Sequence, residues 1–139
     1  MTSKPEAVEV AGRWVRKAEN DYSNAANTVQ MGTDCPFDTI CFHAQQCAEK
    51  YLKALLIMHL VHFPKIHDLE ELAKLLPEGL DIGADIDQLR ILSNSGVAGR
   101  YPDTGEEPGR PEAEKALSIA VKIRERIRRL LPAAVIQPN

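Results

Sequence analysis

Apolar residues recur along the first part of the chain in steps of four and three: Ala11, Val15, Ala18, Tyr22, Ala25 and Val29, with Trp14 and Ala26 widening the stripe. That spacing keeps one face of an α-helix apolar and predicts a long amphipathic helix from about Glu6 to Met31. Gly32 suits a left-handed C-terminal cap, and Asp34 with Pro36 suits the start of the next helix. From Phe37 to about Leu60 the apolar set is Ile40, Cys41, Ala44, Cys47, Ala48, Tyr51, Leu52, Leu55, Leu56 and Met58. These positions occupy more than half of the helix circumference, so this second helix needs cover on two sides and is predicted to be the central element. Phe63-Pro64 ends it. Asp68 is an N-cap residue ahead of Leu69, Leu72, Leu75 and Leu76, which predicts a short helix stopped by Pro77 and Gly79. A further helix is predicted from Ala84 to about Ser93, with Ile82, Ile86, Leu89 and Leu92 turned inward. The stretch from Ser93 to Pro111 holds four glycines and three prolines, which is the chemistry of a long loop. Pro111 opens the last helix, whose face Ala113, Ala116, Ala120, Ile123, Ile127 and Leu130 again steps by three and four. Pro132 closes it, and the residues beyond are expected to fray.

The predicted fold is therefore all-α: an up-and-down antiparallel bundle of four to five helices with a long loop before the last helix. A length of 139 residues fits one domain, residues 1–139, with its core over about 6–131. Composition agrees, because aromatics make up only 5% and runs of β-branched residues are rare. An apolar share of 44% beside 27% charged residues excludes a disordered chain. No apolar stretch approaches the roughly 18 residues of a membrane span, and the N-terminus shows no apolar signal core. A soluble, cytoplasmic protein without membrane contact is the expectation. Cys35, Cys41 and Cys47 form no CxxC pair, and Cys41 and Cys47 read as small core residues.

Charge is uneven. Between Asp68 and Arg90, seven acids (Asp68, Glu70, Glu71, Glu78, Asp81, Asp85, Asp87) face Lys74 and Arg90. Between Arg110 and Arg129, seven bases (Arg110, Lys115, Lys122, Arg124, Arg126, Arg128, Arg129) face Glu112, Glu114 and Glu125. Two solvated faces that attract each other account for this pattern; a phosphate- or RNA-binding stripe on the last helix is the alternative.

The second helix also carries a polar band of His43, Gln45, Gln46, Glu49, Lys50 and Lys53. Gln45, Glu49 and Lys53 repeat every four residues on one face, and Glu49 to Lys53 is the favourable orientation of an ion pair. The ladder reads either as a helix-stabilising surface row or as the wall of a groove or interface. The histidines at 43, 59, 62 and 67 lack the spacing of a zinc site, so no metal is expected. His67 reads as a brace for the turn that Asp68 caps. No phosphate-binding GxxxxGK[ST] loop, GxGxxG turn or nucleophile elbow is present. Arg100-Tyr101-Pro102-Asp103 sets a bidentate phosphate donor beside an aromatic plane and a carboxylate, suited either to an anion or base or to anchoring the loop.

The run from Cys41 to Leu56, CFHAQQCAEKYLKALL, resembles the signature helix of the HEPN family (higher eukaryotes and prokaryotes nucleotide-binding domain). Trp14 and Ala18 to Asp21, His67-Asp68-Leu69, Arg100 to Asp103 and Glu112-Ala113 extend the resemblance from about residue 13 to 130. It implies a helical bundle, usually a homodimer, often encoded beside a minimal nucleotidyltransferase, with nucleotide binding and toxin-antitoxin-like settings in the family. Many relatives are ribonucleases using an Arg followed four to six residues later by His. No Arg of this chain has a His at that distance, which removes the usual guanidinium and proton-transfer pair. The resemblance thus points to a non-catalytic accessory module with a nucleotide such as ATP as its ligand and no assigned catalytic residues, and gives RNA less weight. In that reading Gln45, Glu49 and Lys53 line the groove with Arg100, Tyr101 and Asp103, while His43, His67 and Asp68 are secondary. Arg100 and Lys53 would hold phosphate, Tyr101 would stack, and Glu49 and Asp103 would orient base or ribose. A divergent ribonuclease pairing Arg100 with a distant His, and a purely structural dimer, are the alternatives.

Overall fold

The N-terminal stripe folds as α1 (Lys4–Thr28), continued by one 3-10 turn over Val29–Met31. The computed structural model of the chain describes residues 4–97 and 107–137. After a five-residue connection comes α2 (Phe37–Met58), then α3 (Leu69–Lys74), α4 (Ile86–Val97), α5 (Arg110–Leu130) and α6 (Ala133–Ile136). Among the described residues there are six α-helices and no strands, in a helical bundle.

Helix α2 is the centre. It packs along α1 as an antiparallel hairpin and also against α5, α4 and α3. The α1 face turned to the bundle is mostly small, with Ala7, Ala11, Gly12, Val15, Ala18 and Ala25 all buried, which lets the axes approach closely. On α2, Ile40, Cys41, Ala44, Ala48, Tyr51, Leu52, Leu55 and Leu56 are fully enclosed or nearly so, as a helix covered on several sides requires. Helix α5 contributes Ala113, Ala116, Ala120, Ile123 and Ile127, the predicted face apart from Leu130, which is exposed.

The ends of the helices follow local chemistry. Asp68 accepts a hydrogen bond from Glu71 N at 3.0 Å and caps α3. Asp85 and Gln88 cap α4 reciprocally, Gln88 N donating to Asp85 at 2.8 Å and Asp85 N donating to Gln88 at 3.0 Å. Gly109 N donates to Glu112 at 2.7 Å, and Pro111 sits in the first turn of α5.

Several boundaries differ from the sequence reading, for physical reasons. Helix α4 starts and ends later than predicted: Ile86 opens it half exposed, while Ile82, in the preceding loop, takes the buried place. The glycine at position 96 does not stop the helix, because α4 presses on α2 there. A Cβ on Gly96 would stand 2.7 Å from Cβ of Gln45. Leu75, predicted inward on α3, is exposed, whereas Leu69 and Leu72 are buried. The tail beyond Pro132 does not fray over its described length: α6 folds back on α1 and Val135 is fully buried. Arg100, Tyr101 and Asp103, with the middle of the predicted loop, lie outside the described residues.

Candidate functional site

The polar ladder of α2 faces inward. Gln45, Glu49 and Lys53 are buried at 6%, 3% and 5% exposure, yet each is partnered. Lys53 Nζ donates to Glu49 at 3.0 Å, and its ammonium lies 5.3 Å from the Trp14 ring centroid and 5.7 Å from that of Phe63. Those rings, packed edge to face at 6.5 Å, wall the cation off from solvent and add cation–π attraction. Gln45 Nε2 donates to Glu49 at 3.1 Å and to the His67 carbonyl at 3.1 Å, while Gln46 Nε2 donates to the Gln45 oxygen at 3.0 Å.

His67 completes the group. Its Nδ1 lies 3.1 and 3.2 Å from the two Glu49 oxygens, so Nδ1 carries the proton and donates. The rest of the ring is open to solvent. His67 thus braces the turn before Asp68 and presents its other ring nitrogen outward.

This edge of the ladder borders a cleft of about 500 Å³ between α2, the start of α3 and the end of α4, lined by Phe42, Gln45, Gln46, His67, Asp68, Ser93, Asn94, Gly96 and Val97. Ser93 Oγ accepts from Leu69 N at 3.1 Å and ties α3 to α4 at the cleft floor. Of the groove residues named from the sequence, Gln45 lines this cleft together with His67 and Asp68. Glu49 stands behind His67 as its orienting carboxylate, and the Lys53 ammonium is enclosed. A phosphate role for Lys53 therefore lacks an exposed donor, since its charge is already committed to Glu49 and the two rings. Arg100, Tyr101 and Asp103 lie outside the described residues.

Two further polar clusters straddle the α1–α2 seam. Asp21, 6% exposed, receives His43 Nδ1 at 2.8 Å and pairs with Lys50. Sequence reasoning missed Asp21 as a partner of His43; the available signal was a carboxylate spaced three and four residues from Ala18 and Ala25, on the buried face of α1. Glu19 accepts from Tyr51 Oη and from Arg124 in two bonds of 2.7 Å, and Arg124 stacks over Tyr22 at 4.1 Å. Burial raises the Glu19 carboxyl, but the hydrogen bonds from Arg124 and Tyr51 outweigh it and hold the group below the ordinary carboxylate range. Arg128 donates to Tyr51 Oη at 3.0 Å. The same surroundings push the Tyr51 phenol up, burial first and the Glu19 hydrogen bond second.

The basic stripe of α5 is thus largely engaged within the fold. Among the described residues, only Arg126, 3.3 Å from Asp81, links it to the acidic segment. Arg110 donates to the Gly32 carbonyl at 2.6 Å and stacks over Phe37 at 5.2 Å. All three cysteines are buried and free; burial pushes the Cys41 thiol up to about 11 and the Cys47 thiol up to about 12. No helix among the described residues is long and apolar enough to cross a membrane.

Comparison with known proteins adds a family to this geometry. The sequence profile of the HEPN domain matches residues 11–130. The crystal structure of TT1696 from Thermus thermophilus superposes with a TM-score of 0.73 at 28% identity, over 87% of this chain and 98% of that one. ST0689, an archaeal HEPN homologue, superposes with a TM-score of 0.62 at 23% identity over 86% of this chain and 96% of that one, a likeness of fold. No curated protein matches the chain significantly.

Proposed function

The chain belongs to the HEPN domain family, and from that premise we propose that it is a non-catalytic accessory module which binds a nucleotide such as ATP in the α2–α3–α4 cleft. In this reading it works as a homodimer beside a separately encoded minimal nucleotidyltransferase. The observation that carries the proposal is the cleft itself, whose volume of about 500 Å³ suits a small ligand. Around it the Gln46 and Asn94 amides and the outer nitrogen of His67 supply hydrogen bonds to a base or ribose, and Phe42 supplies an aromatic wall. Behind the cleft Glu49 and Lys53 are buried and committed to each other, so they position these groups rather than contacting ligand. Arg100, Tyr101 and Asp103 follow Val97 of the cleft wall by three, four and six residues in sequence. Their assigned roles are phosphate binding, stacking and acceptance from ribose. The absence of an Arg with His four to six residues later favours a binding role over cleavage.

Calorimetry with ATP, GTP and UTP tests the proposal. Binding by the wild type, weakened at least tenfold in Asn94→Ala and in Arg100→Ala, is the expected result. Absence of heat for every nucleotide at millimolar concentration would overturn it.

One observation favours a second reading, a divergent ribonuclease. Glu49 orients His67 at 3.1 Å with the remaining ring nitrogen exposed at the cleft, which is how a carboxylate prepares an imidazole for proton transfer. Cleavage of structured RNA that disappears in both His67→Ala and Arg100→Ala supports this reading, and cleavage that survives in both removes it.

A further inference from the structure

The corner where α6 folds back on α1 holds positive charge that the fold answers only in part. There a cleft of about 570 Å³ opens between α1, the end of α5 and α6, with Arg13, Arg16, Lys17 and Arg128 around an apolar floor of Val15, Val135 and Ile136. It lies apart from the α2–α3–α4 cleft and shares no lining residue with it.

Glu19, the carboxylate at its edge, is held bidentately by Arg124 at 2.7 Å, so its charge is already matched. Arg128 approaches Glu19 only to 3.8 Å and rests on Tyr51 Oη through a single N–H at 3.0 Å. Its other donors remain, and Tyr51, fully buried, fixes where the guanidinium stands. Arg13 pairs with Glu9 at 3.2 Å, an exposed pair of the kind worth little in water and readily exchanged. Arg16 and Lys17 are exposed and pair with no carboxylate among the described residues. Cations at i, i+3 and i+4 on α1 share one helix face and converge with Arg128 across the cleft. Guanidinium forks are the side chains best matched to phosphate oxygens, and several converging cations favour an anion of more than one charge over a carboxylate.

We propose that this corner is a binding site for a small molecule bearing a diphosphate or longer phosphate chain, with the phosphates on Arg13, Arg16, Lys17 and Arg128 and the body of the ligand on Val15, Val135 and Ile136. The proposal does not depend on the nucleotide cleft. Titration of the ¹⁵N-labelled full chain with inorganic pyrophosphate, followed by NMR, tests both affinity and place. The expected result is saturable shifts at residues 13–20, 128 and 135–136, with Asn94 and Gly96 unmoved. Arg16→Gln with Lys17→Gln, both exposed, should weaken binding at least tenfold while the melting temperature holds, and Asn94→Ala should leave it unchanged. Raising the salt concentration should weaken binding in the wild type more than in the double variant. No saturation at millimolar pyrophosphate, shifts centred on Asn94, or equal affinity in the double variant would each overturn the proposal. So would binding of a short single-stranded RNA through this corner when pyrophosphate has no effect.

Discussion

Removing one member of the Glu49–Lys53 pair should be among the most damaging single changes in this protein. Both residues are at most 5% exposed and their side chains lie 3.0 Å apart, with Lys53 enclosed by Trp14 and Phe63. Glu49→Gln leaves the ammonium buried without its anion, a defect that typically costs about 3–5 kcal/mol. With an unfolding entropy of about 2.1 cal/mol/K per residue, 139 residues convert that loss into a fall of roughly 10–17 °C in melting temperature. Lys53→Met should cost less, because Glu49 keeps donors in Gln45 Nε2 and His67 Nδ1, both at 3.1 Å. In the double variant both charges are gone and the introduced thioether side chain would fill the aromatic box, so its loss should fall short of the sum of the singles by at least about 2 kcal/mol. Urea unfolding of the four proteins at neutral pH gives the cycle directly. Additivity within about 0.5 kcal/mol, or single variants as stable as the wild type, would refute the claim that the ladder is a coupled buried network.

Three further outcomes follow from the packing and the electrostatics. Gly96→Ala sets a Cβ 2.7 Å from Cβ of Gln45, so α4 must shift off α2; a loss of about 1–3 kcal/mol in urea unfolding is expected, and the nucleotide binding proposed for the adjacent cleft should weaken. The Glu19 carboxyl is lowered in the folded state, so its contribution is complete above the ordinary carboxylate range and is lost as the pH falls through the lowered folded value. Glu19→Gln should therefore be less stable than the wild type at pH 7, with the gap closing in unfolding curves taken between about pH 5 and pH 2. Cys41 and Cys47, buried with thiols raised to about 11 and 12, should resist iodoacetamide at pH 8 in the folded protein and react once urea unfolds it, as read by mass spectrometry of the peptides.

Periodicity made the long helices legible because each buries a stripe of regular spacing, and α2 was recognisable as central because its apolar arc is too wide for one neighbour. The Asp68 cap and Pro111 also read directly, since capping is local chemistry. What the sequence did not disclose depends on partners brought together from afar. Asp21 occupies an inward position on α1, but only the arrival of His43 and Lys50 from α2 makes a buried carboxylate tenable there. The bases of α5 looked like one surface stripe, yet Arg124 and Arg128 turn to Glu19 and Tyr51 while Arg126 meets Asp81. The few residues after Pro132 were too short a run to show a helical period, so α6 was legible only from the burial of Val135. The polar ladder was legible as a row, but whether a row faces water or core is decided by the neighbours: α3, α4 and the Trp14–Phe63 pair close over it.

Three carboxylates, Glu49 on α2 and Asp21 and Glu19 packed against it from α1, share one arrangement, which bears on where chemistry is available. Glu49 lies between Lys53 and His67, Asp21 between Lys50 and His43, and Glu19 between Arg124 and Tyr51. Each negative charge has a cation and a second donor, so a helix packed against four others can carry Glu49, Lys50 and Lys53 without leaving a charge unanswered. The second donor differs in what it leaves exposed. Tyr51 has 0% exposure and serves the core, whereas each histidine bonds a carboxylate through Nδ1 and keeps another ring nitrogen. The His43 side chain is 23% exposed beside Lys50 on the α1 side, while that of His67 is 76% exposed and borders the cleft. Of the two imidazoles, that of His67 borders a ligand-sized cleft among the described residues. A carboxylate-oriented imidazole beside a ligand-sized cleft is therefore where the two proposed readings, nucleotide recognition and a residual cleavage activity, would converge among the described residues, and His67→Gln separates them. The amide can replace a hydrogen bond to a bound nucleotide but cannot shuttle a proton, so binding retained with cleavage lost identifies proton transfer, and cleavage retained excludes it.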